Sequence, residues 1–260
     1  MLYQRAGLVW LLCTAVAAHS AARLKRRLPA FEPTDLDLEP PGTLEFDLQV
    51  GRIWRDGEPR TRLFIPDFEL DLGLASRVEI DVDGALSLDA QSQRLQLSGD
   101  NLWTGVKLGL GALRGSDGRD HAWSAGVQLG PRLPTAPGAQ GVGFGLVLLG
   151  AHAAPPWHSI ANLGALIEPS QRDTPGRTSG ALGGIEASLD LDPKGRFAML
   201  SELGAFYSLG PDPHDMHVTL GLNASVSSAL DLSLVGFAGF LPNGDRVGVF
   251  LGVTPKFDLW

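Results

Sequence analysis

The chain has 260 residues, 44% hydrophobic and 19% charged, with a formal charge of −8 and a single cysteine, Cys13. This size and composition suit one large domain, or two small ones, with a real core, and exclude a disordered chain, a disulfide framework and a cysteine-based zinc site. The acidic balance excludes nucleic acid as a partner, since that needs a basic footprint, and 33 glycines argue for bending, closely packed strands over long helices.

Residues 6–18 form the one long apolar run, and 13 residues are too few for a transmembrane helix. Arg5 precedes it and small residues follow. The run reads as a cleavable secretory signal over residues 1–20, ending after Ala17, Ala18 or Ser20. The cluster Arg23, Lys25, Arg26 and Arg27 opposes export by charge bias. Residues 21–41, ending in Glu39-Pro40-Pro41, read as an extended periplasmic lead-in.

From residue 42 to 260 the period is two. Leu44, Phe46, Leu48 and Val50 alternate with Glu45, Asp47 and Gln49. Phe68, Leu70, Leu72 and Leu74 alternate with Asp67, Glu69 and Asp71; Val78, Ile80 and Val82 alternate with Glu79, Asp81 and Asp83. Each run predicts a strand with one apolar and one polar face. Further strands are predicted near 102–112, 122–133, 141–152, 158–167, 180–191, 196–208, 216–226, 229–240 and 246–259, about twelve in all. Turn-rich separators divide them, long at 89–101, 134–140, 168–179 and 210–215, and short at Leu74-Ala75-Ser76-Arg77 and Ser227-Ser228.

An even strand number, strands of about ten residues, and alternating long and short connections predict an all-β fold. Its form is a closed antiparallel up-and-down transmembrane β-barrel in the bacterial outer membrane. Trp54, Trp123, Trp157, Phe197, Tyr207 and Phe240 fall near strand ends on the apolar phase and are read as an aromatic girdle at the lipid interface. Seven carboxylates cannot face lipid, so Glu45, Asp47, Glu69, Asp71, Glu79, Asp81 and Asp83 are expected to line the lumen. Lys107, Arg132, Glu186 and Glu202 are expected to join them from the other strands. Glycines on that phase, such as Gly105, Gly109 and Gly145, suggest a wall that water can line, and an acidic, wet lumen attracts cations.

No nucleophile elbow, zinc-protease or phosphate-loop motif is present, so no enzyme, catalytic residue or cofactor is expected. His158-Ser159 fails as a catalytic pair because neighbours on a strand point to opposite faces. His214 and His217 are read as solvated loop residues, not metal ligands, and His217 also falls on the inward phase with Gln128, Asn162, Thr219 and Asn223. The expected role is a channel or transporter for small solutes. The competing readings are a plugged barrel that meets a partner through its loops, and a soluble secreted sandwich.

Pro40-Pro41-Gly42-Thr43-Leu44-Glu45-Phe46-Asp47 resembles the opening of the outer-membrane transporters grouped with the meta-pathway of phenol degradation. The hairpin Leu74 to Ile80 is similar to that family's second turn, and Leu102 to Leu110, Val127 to Pro134 and Val249 to Phe257 are similar to its middle and final strands. The resemblance implies a small outer-membrane barrel that moves small hydrophobic or aromatic compounds; the barrel reading itself makes outer-membrane lipid and the barrel-assembly machinery the expected partners. The final strand departs from the usual outer-membrane ending: Trp260 shares its phase with Lys256 and Asp258, not with Leu251, Val253 and Phe257.

Overall fold

The computed structural model describes residues 38–55, 61–89, 95–97, 102–114, 122–135, 141–169, 179–209, 214–242 and 245–260. The signal expected over residues 1–20 and most of the lead-in lie outside the described residues. Thirteen strands follow in chain order: β1 (Thr43–Arg55), β2 (Thr61–Ala75), β3 (Val78–Asp89), β4 (Leu95–Leu97), β5 (Leu102–Arg114), β6 (Ala122–Leu133), β7 (Gly143–Ala154), β8 (Trp157–Ile167), β9 (Gly180–Asp190), β10 (Phe197–Ser208), β11 (Asp215–Ser227), β12 (Leu230–Gly239) and β13 (Asp245–Asp258). Twelve of them close into a ring of antiparallel neighbours, with β1 pairing to both β2 and β13, and β3 to both β2 and β5. The short β4 pairs with β3 alone, inside a connection where the sequence predicts only loop.

Closure leaves no open sheet edge in the wall, the one arrangement of strands that satisfies every backbone donor and acceptor in lipid. Strands of about 12 residues, at about 3.3 Å each and tilted by about 40°, span roughly 30 Å, the thickness of a bilayer's hydrocarbon core. Both ends of the described chain lie at one rim, where Thr43 pairs with Asp258. Turns at this rim are short at Ser76-Arg77, Pro155-Pro156 and Ser228-Ala229, while the opposite, far rim carries the long connections after β3, β6 and β8. In the turn between β9 and β10 the Asp192 carboxylate accepts hydrogen bonds from the Phe197 and Lys194 amides at 2.8 and 3.2 Å, which holds its pKa below the ordinary carboxylate value.

The outer face is apolar. Leu110, Leu163, Ile185, Leu220, Val226 and Leu251 are each 58–64% exposed. The polar phase turns inward and is buried. A soluble fold inverts this arrangement, so the side chains themselves assign lipid to the outside.

Two departures from strict alternation lengthen β1 and β2 beyond their predicted limits. Register shifts fall between Gln49 and Gly51 and between Phe64 and Asp67, flanking Pro66. Across the second shift the buried phase passes from Phe64 to Asp67, Glu69 and Asp71. The bulge accommodates a proline that cannot donate to the ladder, and it hides the strand's first half from a period-two pattern.

The interior has apolar content as well. Ile53, Phe64, Ala85, Val235 and Phe250 form one buried cluster, and Trp103, Val147 and Leu149 another, with Ala151 and Leu182 packed against it. The Phe64 and Phe250 rings lie 5.7 Å apart. The Phe250 ring covers Gly51 so closely that a Cβ there would fall 2.2 Å from it. Glycines expected to open the wall to water are used the same way. Gly105 lies under the Asp81 carboxylate, Gly145 under the Trp103 indole and Gly109 against Leu38. In this barrel missing side chains admit neighbouring ones.

Candidate functional site: the acidic barrel interior

Strands β1, β2 and β3 deliver their acids in rows because the pairing register sets inward residues side by side. Glu45 stands opposite Asp71, which stands opposite Asp81; Asp47, Glu69 and Asp83 form the adjacent row. Like charges directly across a strand pair repel, so these rows require compensation. Some comes from within the wall. Lys107 Nζ lies 2.8 Å from Glu79 Oε1 with both side chains fully buried. Lys256 pairs with Glu45 and approaches Glu39 at 3.7 Å. The Thr254 hydroxyl donates to Asp47. The Gln128 amide donates to Asp81 across β5, a reach that Gly105 permits by having no side chain in between.

The end of the lead-in joins this network. Glu39 N donates to Glu79 Oε2 at 2.5 Å. Pro40 passes over Gly73, where a Cβ would fall 2.1 Å from its carbonyl oxygen. Residues 38–40 therefore cross the inner side of the rim that holds the termini.

Charge remains unbalanced. Among the described residues, Glu39, Glu45, Asp47, Asp67, Glu69, Asp71, Glu79, Asp81, Glu168, Glu186, Glu202 and Asp231 are buried, against one buried lysine, Lys107, and no buried arginine. Half-buried Arg132 pairs with Glu168 at 2.5 Å and lies 5.9 Å over the Trp103 ring, near the far rim. One carboxylate oxygen each from Glu45, Asp47 and Asp71 lies within 4.8 Å of the other two. An enclosed low-dielectric space of this sign concentrates cations and repels anions.

Of the residues picked from sequence for the lumen, Glu45, Asp47, Glu69, Asp71, Glu79, Asp81, Lys107, Glu186 and Glu202 are buried, and Asp83 and Arg132 are half-buried. They divide between two walls: the acids of β1–β3 with Lys107 on one, and Glu186 and Glu202 on β9 and β10. Trp54, Trp123, Trp157, Phe197, Tyr207 and Phe240 are all on the outer surface, 40–59% exposed. His217 is inward on β11, as its phase predicts, but fully buried and not a solvated loop residue, its Nδ1 2.8 Å from Asp215 Oδ2. His214 stays outside the barrel interior and stacks on Tyr207 at 4.4 Å. Sequence reasoning did not single out Glu39, Asp67 or Lys256. Asp67 shares the phase of Glu69 and Asp71 and was within reach of that signal. Glu39 lies in a Pro-rich stretch with no period.

Lys107 makes a direct prediction. Lys107→Met removes the fully buried cation beside Glu79, and breaking a buried pair costs about 3–5 kcal/mol. The urea midpoint of the folded barrel in detergent falls accordingly, and adding Glu79→Gln restores most of it. An unchanged midpoint for Lys107→Met would place the lysine's contribution elsewhere.

No family model and no curated protein matches this chain, so the likeness to the phenol-degradation transporters rests on the quoted stretches alone. Solved structures do match. The NanC porin superposes with a TM-score of 0.56 at 9% identity, covering 82% of this chain and all of that one. The KdgM porin gives 0.50 at 9% identity over 82% of this chain and 99% of its own. The Salmonella typhi outer membrane phospholipase dimer with bound calcium gives 0.50 at 11% identity over 93% and 97%. Porins and an enzyme share this architecture, so the likeness carries the fold and leaves activity to the site. The chain is a closed, antiparallel, twelve-stranded barrel with the fold of outer-membrane β-barrels.

Proposed function

We propose that the chain is an outer-membrane channel for small cationic solutes, exported by the signal in residues 1–20 and inserted by the barrel-assembly machinery, with the termini rim in the periplasm. The observation that carries the reading is the sign of the interior: among the described residues twelve carboxylates are buried, against buried Lys107 and the half-buried Lys256 and Arg132. An interior whose buried charge is mostly of one sign draws mobile cations in and turns anions away. The aromatic side chains at both rims act as the interface girdle, and the apolar outer face meets lipid. Planar-bilayer recording under a salt gradient tests it. A reversal potential of the cation-selective sign supports the channel; no current over many insertions removes it.

A plugged barrel is the second reading. The paired rings of Phe64 and Phe250 and the residues 38–40 crossing the rim favour it. Under that reading the folded barrel inserts but carries no current until the rings are removed.

A further inference from the structure

A second polar group lies on the wall formed by β8 to β11, apart from the acids of β1–β3. Glu186 stands opposite Glu202, and Glu202 opposite Thr219. Glu202 is 2% exposed and Thr219 fully buried; among the described residues the Thr219 hydroxyl is the side-chain donor beside the Glu202 carboxylate, short of full hydrogen-bonding geometry. A rotation of Thr219 toward Glu202 would fill one of the roughly four acceptor sites of a carboxylate and leave the others open. Asn162, 8% exposed, has both ends of its amide unpartnered among the described residues. It is the independent, uncharged sign of a missing guest, since a buried amide without partners costs about 1–3 kcal/mol.

The floor between these groups is glycine backbone, covered at Gly204 by the His217 ring and the Glu202 carboxylate. Asn162 pairs with Gly184, Gly184 with Gly204, and Gly204 with His217. Glu202 Oε1 and His217 Nε2 lie 3.2 and 2.7 Å from the point where a Gly204 Cβ would be. Apolar and aromatic surface flanks the floor: Leu149 stands opposite Asn162, Phe237 opposite Thr219, and the Phe237 ring lies 5.0 Å from the His217 ring.

We propose that this wall binds a small organic ammonium compound. The Glu202 and Glu186 carboxylates take its N–H donors, Phe237 offers a ring face to the charge, and Asn162 bonds a polar group on the same molecule. A hard metal ion fits less well. It needs six or more oxygens converging on one point, whereas an ammonium ion needs only two or three acceptors. The proposal names the solute class of the channel reading and rests on that reading only for entry to the lumen.

The test is calorimetric titration of the refolded barrel in detergent with phenethylammonium chloride and, separately, calcium chloride. Wild type binds the ammonium compound. Glu202→Gln weakens binding by about tenfold, the loss expected for one charge-assisted hydrogen bond. Gly184→Leu fills the floor and abolishes binding, while Leu110→Ala on the lipid-facing side of β5 leaves it unchanged. Heat-modifiable gel mobility establishes that each variant is folded; if Glu202→Gln does not fold, Gly184→Leu and Asn162→Ala decide. No ammonium binding by wild type, wild-type affinity in folded variants, or binding of calcium alone each overturns the proposal. Binding in micelles is independent of conduction, so a conducting barrel that binds nothing and a binding barrel that conducts nothing are told apart.

Discussion

Neutralising Asp47, Asp71 and Asp81 together lowers the cation preference of the proposed channel by about an order of magnitude or more, because each unit charge is worth about 1 kcal/mol to an ion a few ångströms away even in water. These residues are the choice because all three are buried on the inner face of adjacent strands, and Asp71 and Asp81 share a row. Asparagine keeps their size and much of their hydrogen bonding, including the Thr254 and Gln128 contacts. Relief of like-charge repulsion offsets part of any loss in stability. The triple variant therefore folds, conducts, and shows its reversal potential moved toward zero. A reversal potential equal to wild type would mean that ions pass without meeting this wall.

The second large effect is expected at the apolar belt. Phe64→Ala with Phe250→Ala removes both rings from a contact 5.7 Å between centroids. Hydrophobic constrictions close pores by excluding water, so removing this one raises single-channel conductance several-fold, or creates conductance where wild type has none. The exchange costs about 3–5 kcal/mol per ring, which a closed barrel survives with a lower unfolding midpoint. A rise in current from a silent wild type would favour the plugged reading. Equal conductance in both proteins would show that the rings do not narrow the path.

Much of this architecture was legible in sequence, and the failures have physical causes. Glu45 to Gln49, Glu69 to Asp71 and Glu79 to Asp83 announce both strand and sidedness, since charge on every second residue leaves no other way to satisfy a bilayer. The inward-facing Phe250 was hidden because Val247, Val249 and Leu251 surround it; a run apolar on both phases carries no periodic signal. Bulges beside Pro66 concealed the first half of β2 for the related reason that a single extra residue inverts the phase. The inward Lys256 looked like a flaw in the final strand, yet it is the partner of Glu45 from across the β1–β13 seam. The polar group on β8–β11 was visible only residue by residue. Glu202 and Asn162 fall on the inward phase, but their convergence over Gly184 and Gly204 depends on register, which sequence does not state.

Sidedness is the claim on which the rest depends, and spin labelling in lipid tests it directly. The sole cysteine, Cys13, lies in the proposed signal, so single cysteines can be placed at will in the barrel. Labels at Leu163, Leu220 and Leu251 are predicted to relax with oxygen dissolved in the bilayer and to ignore a water-soluble nickel complex, while labels at Asp83 and Arg132 are shielded from lipid. Nickel access at the three leucines, with lipid contact at Asp83 and Arg132, would contradict the account.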